Sequence, residues 1–243
     1  MDTTRIAELL QPFLGPAEDP QLTVNDLSNI STYIDLLLRW NARVNLTAIR
    51  QPEEIVTRHF GESLFAARHL FPSVARTCPE RSRMGPSPAR EADAPARPAE
   101  QSPAPTRLID IGSGAGFPGL PIKVWATHIH LALIESNQKK ATFLREVARA
   151  LTLTNVNVFP GRAEDYPNPP AEVVTLRAVE RFETVLPTAA RLTAPHGRLA
   201  LLISAPQLAH TYALAPGFAW LNPIGVPLSS SRIFLLGVRK PEE

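Results

Sequence analysis

Residues 107–121 read RLIDIGSGAGFPGLP, a short apolar run carrying one acid, Asp110, followed by glycines at 112, 114, 116 and 119. Glycine inside ordered structure is destabilising, so the cluster requires a tight turn, a positive φ, or a ligand lying against the main chain. The spacing D-x-G-x-G-x-G sets Asp110, Gly112, Gly114 and Gly116 at the tip of a strand. Bare backbone there can touch a ligand that a β-carbon would strike, and a carboxylate can bind an ammonium group. A second acid, Glu135, ends the next apolar run, LALIE. An acid at the tip of a second strand suits the paired hydroxyls of a ribose. Beyond a third run, GRAEDY puts Ala163 and Glu164 where the base of a nucleoside would lie, met by backbone. Arg177 closes a fourth run, EVVTLRAV, at the same edge.

Two kinds of nucleoside ligand compete for this pattern. Gly114-Ala-Gly116-Phe-Pro-Gly119 spells G-x-G-x-x-G, the dinucleotide fingerprint. That match begins two residues after the strand has ended, and Pro118 removes an amide that a pyrophosphate would use. D-x-G-x-G-x-G instead resembles motif I of the class I S-adenosylmethionine (SAM) methyltransferases. Asn168-Pro169-Pro170-Ala171 imitates the N-P-P-Y box of amine methyltransferases. It lacks the aromatic and precedes its strand, so it reads as a turn.

Positioning these residues takes alternating elements. Apolar runs at 107–112, 129–136, 155–161, 172–179, 197–204 and 231–240 read as strands. Helices are expected from GLPIKVWA, over 137–151, and over RFETVLPTAARLTA. Such alternation implies a mostly parallel, doubly wound sheet covered on both faces, with its ligand at the carboxyl ends of the strands. Residues 22–41 carry apolar positions at helical spacing, and 51–71 opens with Pro52 and two glutamates. The expected organisation is a helical cap over 1–75, a disordered Pro/Ala/Arg-rich insertion over 76–106 and an α/β domain over 107–243.

Composition narrows the remaining classes. With 243 residues, 44% of them hydrophobic, the chain can bury a core without staples. A single cysteine, Cys78, excludes an internal disulfide and a cysteine-built metal site. No apolar run approaches the ~20 residues of a membrane helix, and a cytoplasmic setting is the expectation. A net charge of +2 and a pI near 8.9 permit an acidic partner without demanding one.

Five stretches together resemble the RsmG (glucose-inhibited division protein B) family: WNARVNLTAIRQPEEIVTRHFGESL (40–64), DIGSGAGFPGLPI (110–122), LIESNQKKATFL (133–144), NVNVFPGRAED (155–165) and LRAV (176–179). The resemblance implies an α/β fold of the class I SAM-dependent methyltransferase type. That fold is Rossmann-like, with a mostly parallel seven-stranded sheet and a small N-terminal helical cap. It also implies methylation of guanine N7 in the 530-loop region of 16S ribosomal RNA, with SAM as cofactor. Asp110, Gly112, Gly114, Gly116, Phe117, Glu135, Ala163, Glu164 and Arg177 would then hold the cofactor. Arg177, Asn45 and His59 would meet the acceptor base, and Lys139, Lys140 and Arg58 the RNA phosphates. The implied partner is 16S ribosomal RNA or the small ribosomal subunit, acted on by a monomer without metal or membrane. An NAD-dependent oxidoreductase and a non-catalytic RNA-binding assembly factor are the competing readings. Guanine N7 carries an in-plane lone pair and no proton, so no essential base is expected among the candidates.

Overall fold

The computed structural model describes residues 1–16, 21–72, 106–177 and 181–241. The insertion expected over 76–106 lies, apart from Thr106, outside the described residues.

Five strands run parallel: β1 (Arg107–Ile111), β2 (His130–Ile134), β3 (Val156–Phe159), β4 (Ala171–Arg177) and β5 (Thr193–Ser204). Three more, β6 (Phe218–Trp220), β7 (Ile224–Gly225) and β8 (Arg232–Arg239), complete the sheet, β8 pairing antiparallel with β5, β6 and β7. The order is β3-β2-β1-β4-β5-β8-β6, with β7 beside β8. This makes eight strands where seven were expected. The extra one is the two-residue β7, formed where Ile224 and Gly225 come alongside Phe234 and Ile233. The order reverses between β1 and β4, and a crevice opens there at the carboxyl ends of the strands.

Burial alternates across the sheet as a strand's two-residue period requires. Leu108, Leu131, Leu133, Val173 and Leu202 face one core, and Ile109, Ile111, Ile134, Val174 and Leu201 face the other. The first face packs against α5 (Gly119–Trp125) and α6 (Gln138–Ala150), and the second against α7 (Phe182–Leu192) and α8 (Leu208–Leu214). Polar residues interrupt the first face at one point, where Asp110 and Thr175 are register partners on β1 and β4.

The N-terminal helices join the first core. α1 (Thr3–Leu14) contributes Ile6, Leu10 and Phe13, and α2 (Val24–Asn41) contributes Ile30, Tyr33, Ile34 and Leu37, all buried. α2 starts at a reciprocal capping box between Thr23 and Asp26. The single helix expected over 51–71 is three pieces: α3 (Pro52–Ile55), a π-helical turn (Val56–Gly61) and α4 (Glu62–Leu70). The wider turn shifts the register of the helix, and the side chains of His59 and Glu62 both reach Arg177 at the tip of β4.

Candidate active site

The loop after β1 carries most of the site. Gly112, Gly114 and Gly116 all take positive φ, at 67°, 57° and 91°. Tyr33 of α2 donates its hydroxyl proton to the carbonyl of Ala115 and stacks on Phe117 with ring centroids 5.4 Å apart, so the helical segment pins the loop directly. A β-carbon on Gly116 would overlap the Tyr33 hydroxyl, whereas one on Gly114 would meet nothing nearer than the Gly112 carbonyl at 3.7 Å. Gly116 thus answers to packing, and Gly114 borders open space.

Most amides of this loop are already used. Gly112 and Ser113 donate to the carbonyl of Ile134, and Gly116 and Phe117 to that of Ser113. Gly114 donates to Glu135 Oε2 at 2.9 Å, Gly119 donates to Asp110 Oδ2 at 3.3 Å, and Pro118 has no N–H. A pyrophosphate needs a run of free amides at a helix start. This loop lacks one, which removes the physical basis of the dinucleotide reading.

Two adjoining cavities share Ile111, Gly112, Glu135, Ser136 and Val185. The larger, about 510 Å³, also reaches Thr47, His59, Gly114, Phe117, Lys140 and Arg177. The smaller, about 300 Å³, reaches Ala163 and Glu164 on a short 3₁₀ turn. Glu135 sits where they meet, its Oε1 accepting the amide of Asn137 at 2.7 Å. Each of its oxygens keeps a further lone pair facing the cavities.

Asp110 does not reach this space. It is wholly buried, with Oδ1 accepting the Thr175 hydroxyl at 2.7 Å and Oδ2 the Gly119 amide. Burial pushes its carboxyl up to about 6, against the opposing pull of the Thr175 and Ser113 hydroxyls. Its place is beneath the loop rather than beside an ammonium group.

At the far end of the larger cavity Arg177 lies between the helical segment and β4. Its Nε and Nη2 donate to Glu62 Oε2 at 3.1 and 2.9 Å, Nη2 donates to the carbonyl of Arg58, and Nη1 donates to His59 Nδ1 at 3.0 Å. Arg232 donates to the same Glu62 oxygen at 3.3 Å. The His59 ring stacks on Phe117 with centroids 4.7 Å apart, and its Nε2 lies 2.8 Å from Thr47 Oγ1. Burial first, then the charges of Arg177, Arg58 and Arg232, push the imidazole down to about 3. His59 is neutral at working pH with both nitrogens engaged, and is unfit as a proton-abstracting base.

Asn45 stands exposed and apart from these cavities. Its neighbours in NLT do the work: Asn41, buried at the end of α2, accepts the amides of Leu46 and Thr47 and donates to the Thr47 carbonyl, and Thr47 lines the cavity. Lys140 lines the larger cavity and Lys139 is exposed beside it, both amides capped by Asn137. Arg58 borders a separate hollow with Glu62, Arg232 and Ser229–Ser231. Sequence reasoning passed over Thr47, Tyr33, Glu62 and Arg232. Glu62 had a readable signal, a lone acid within the apolar helix FGESLFAA. Among the described residues no cluster of three or more His, Cys, Asp or Glu side chains is arranged to hold a metal, and no helix is long and apolar enough to cross a membrane.

A doubly wound sheet whose first loop bares glycine backbone beside a carboxylate at the tip of the second strand defines an α/β protein of the class I methyltransferase type. The profile of the family described as rRNA small subunit methyltransferase G (GidB) matches residues 26–78 and 97–212. The chain belongs to that family. A ribosomal RNA small subunit methyltransferase G from an Exiguobacterium species is 36% identical over 176 residues, 70% of this chain and 60% of its own length. Its counterpart from Xylella fastidiosa is 32% identical over 211 residues, 86% of this chain and 84% of its own length. The chain therefore spans less than two thirds of the first of these relatives. An O-methyltransferase family protein from Burkholderia thailandensis overlays with a TM-score of 0.49 at 16% identity, covering 58% of this chain and 52% of its own.

Proposed function

We propose that this protein transfers a methyl group from SAM to guanine N7 of 16S ribosomal RNA. The observation that carries the reading is the pair of adjoining cavities running from Ala163 and Glu135, past Gly114, to Phe117, His59 and Arg177. Its outline fits an adenosine at one end and an amino-acid sulfonium at the other. Gly112 and Gly114 would admit the cofactor to the main chain, Glu135 would take its ribose hydroxyls, and Ala163 and Glu164 would border its adenine.

SAM supplies an electrophilic methyl on a cationic sulfur. The protein's part is to hold the acceptor in line and keep water out, which in favourable cases lowers a barrier by ~7–11 kcal/mol. N7 attacks with its own lone pair, so a site whose one histidine is neutral and doubly hydrogen-bonded suits the reaction. Arg177, tied to Glu62, Arg58 and His59, sets the wall against which the base lies. Lys139 and Lys140 supply positive charge at the rim for RNA phosphates, and Arg58 adds to it from the neighbouring hollow. A guanine must leave its stack to enter, which favours a loop target.

The test is transfer of labelled methyl from SAM to naked 16S ribosomal RNA and to small subunits, with the modified atom mapped. Label at a single guanine N7 is expected, and comparing the two substrates shows which is used. Label at an exocyclic amine overturns the choice of atom. Tight NAD binding with no transfer overturns the whole reading.

A further inference from the structure

The hydrogen bonds around His59 fix the direction of every proton as far as Thr47. Arg177 has only donors, so the 3.0 Å contact from Nη1 makes His59 Nδ1 an acceptor. The neutral ring must then carry its proton on Nε2, and the 2.8 Å contact with Thr47 is a donation from His59 to Oγ1. The amide of Ile49 donates to the same oxygen at 3.1 Å. A hydroxyl oxygen has two lone pairs, and both are now filled. What Thr47 retains is its own proton, on a side chain that lines the larger cavity, and no acceptor among the described residues receives it.

We propose that Thr47 is a donor-only hydroxyl that reads O6 of the target purine, so that the site accepts a 6-oxopurine and refuses a 6-aminopurine. The proposal deepens the functional reading above and rests on it. A purine presents N7 and its position-6 substituent side by side: two acceptors in guanine, an acceptor and a donor in adenine. N7 must keep its lone pair free to attack, so a donor from the protein belongs on O6. Against adenine, the N6 amino group would face a hydroxyl with no lone pair left. Glu62 and Arg177 set this polarity from the far end, because the arginine cannot reverse its donation to His59.

The test compares guanosine with 2-aminopurine, which keeps N7 and lacks O6, placed at the modified position of the RNA. Wild type, Thr47→Val and Thr47→Ser are each assayed for kcat/KM and for SAM binding. Wild type should lose roughly 10–100-fold on the analogue, as an unpaired hydrogen-bonding group costs. Thr47→Val should lose a similar factor on guanosine and be indifferent to the analogue. Thr47→Ser should keep the guanosine preference, and SAM affinity should be unchanged throughout. A Thr47→Val loss of equal size on both substrates marks a structural role and overturns the proposal. So does a fall in SAM affinity that parallels kcat/KM, which would turn the hydroxyl toward the cofactor. Wild-type methylation at an atom other than N7 overturns the functional reading and this inference together. N7 methylation with guanosine preference intact in Thr47→Val overturns this inference alone.

Discussion

The carboxylate of Glu135 holds the amide of Gly114 at 2.9 Å, tying the tip of β2 to the loop after β1. With Oε1 on the Asn137 amide, one side chain fixes the floor of the cavity and the start of α6 together. An acid that reads as a ribose ligand in the sequence is therefore also the brace that shapes the loop beside the cavity. Glu135→Gln is isosteric, but it must turn an NH₂ group toward one of the two amides. SAM affinity should fall about 10–100-fold, with a stability loss of about 1–3 kcal/mol from the unmatched amide. Calorimetric titration and thermal unfolding read the two effects, and unchanged SAM affinity would remove Glu135 from the site.

Gly114 and Gly116, two residues apart in the loop after β1, should separate. Gly116→Ala forces a β-carbon into the Tyr33 hydroxyl and onto Leu120 at 2.6 Å, in a backbone conformation that disfavours side chains. It should destabilise the fold by several kcal/mol, about the cost of overpacking plus strain. Gly114→Ala carries the strain but meets open space, so it should fold with a loss of about 1 kcal/mol. Its methyl group would stand where the ligand needs bare backbone, and SAM binding should drop at least tenfold. Gly114→Ala binding SAM normally would show that the loop is bare for its turn alone.

Arg177 and Glu62 are both almost fully buried, and Arg232 shares the same carboxylate oxygen. Removing one member leaves a charge without its partner. Arg177→Ala should cost about 3–5 kcal/mol. It also frees His59 Nδ1 and should abolish methyl transfer. Arg177→Lys keeps the charge but cannot span Glu62, the Arg58 carbonyl and His59 at once, so it should recover stability in part and activity hardly at all. Denaturant unfolding beside single-turnover methylation distinguishes these outcomes, and an active, stable Arg177→Ala would dismiss the arginine from the site.

The β/α alternation was legible because the strands are short apolar runs punctuated by glycine and acid, and the loop chemistry followed from D-x-G-x-G-x-G at the end of β1. The helical segment was legible only in part. A continuous apolar period over 51–71 looks the same with or without a π turn, yet the turn settles where His59 and Glu62 point. In WNARVNLT the sequence offers two asparagines, and nothing in their spacing tells which turns inward. α2 ends at Asn41, whose side chain caps the following loop and leaves Asn45 in solvent. Asp110 misled for a similar reason. An acid two residues before Gly112, the first positive-φ residue of the loop, looks like a ligand, and only the pairing of β1 with β4 shows Thr175 waiting beside it.

Two buried groups should give opposite pH signatures. His59 titrates near 3 in the folded chain against an ordinary 6.5, so below pH 6.5 the unfolded chain binds a proton that the folded one refuses. Its contribution is full above pH 6.5 and is lost as pH falls toward 3. Asp110 titrates near 6 against an ordinary 3.8, so the folded chain holds a proton that the unfolded one releases. Its contribution is full below pH 3.8 and is lost as pH rises to 6, by about 3 kcal/mol. Stability curves of wild type, His59→Gln and Asp110→Asn from pH 4 to 7 should therefore diverge in opposite senses. The advantage of wild type over His59→Gln should shrink on acidification, while its advantage over Asp110→Asn should shrink as pH rises. Curves that stay parallel would mean that neither group is buried as the fold requires. The methylation rate, by contrast, should show no inflection from His59 between pH 6 and 8, because the ring is already neutral and keeps donating to Thr47 Oγ1 throughout that range.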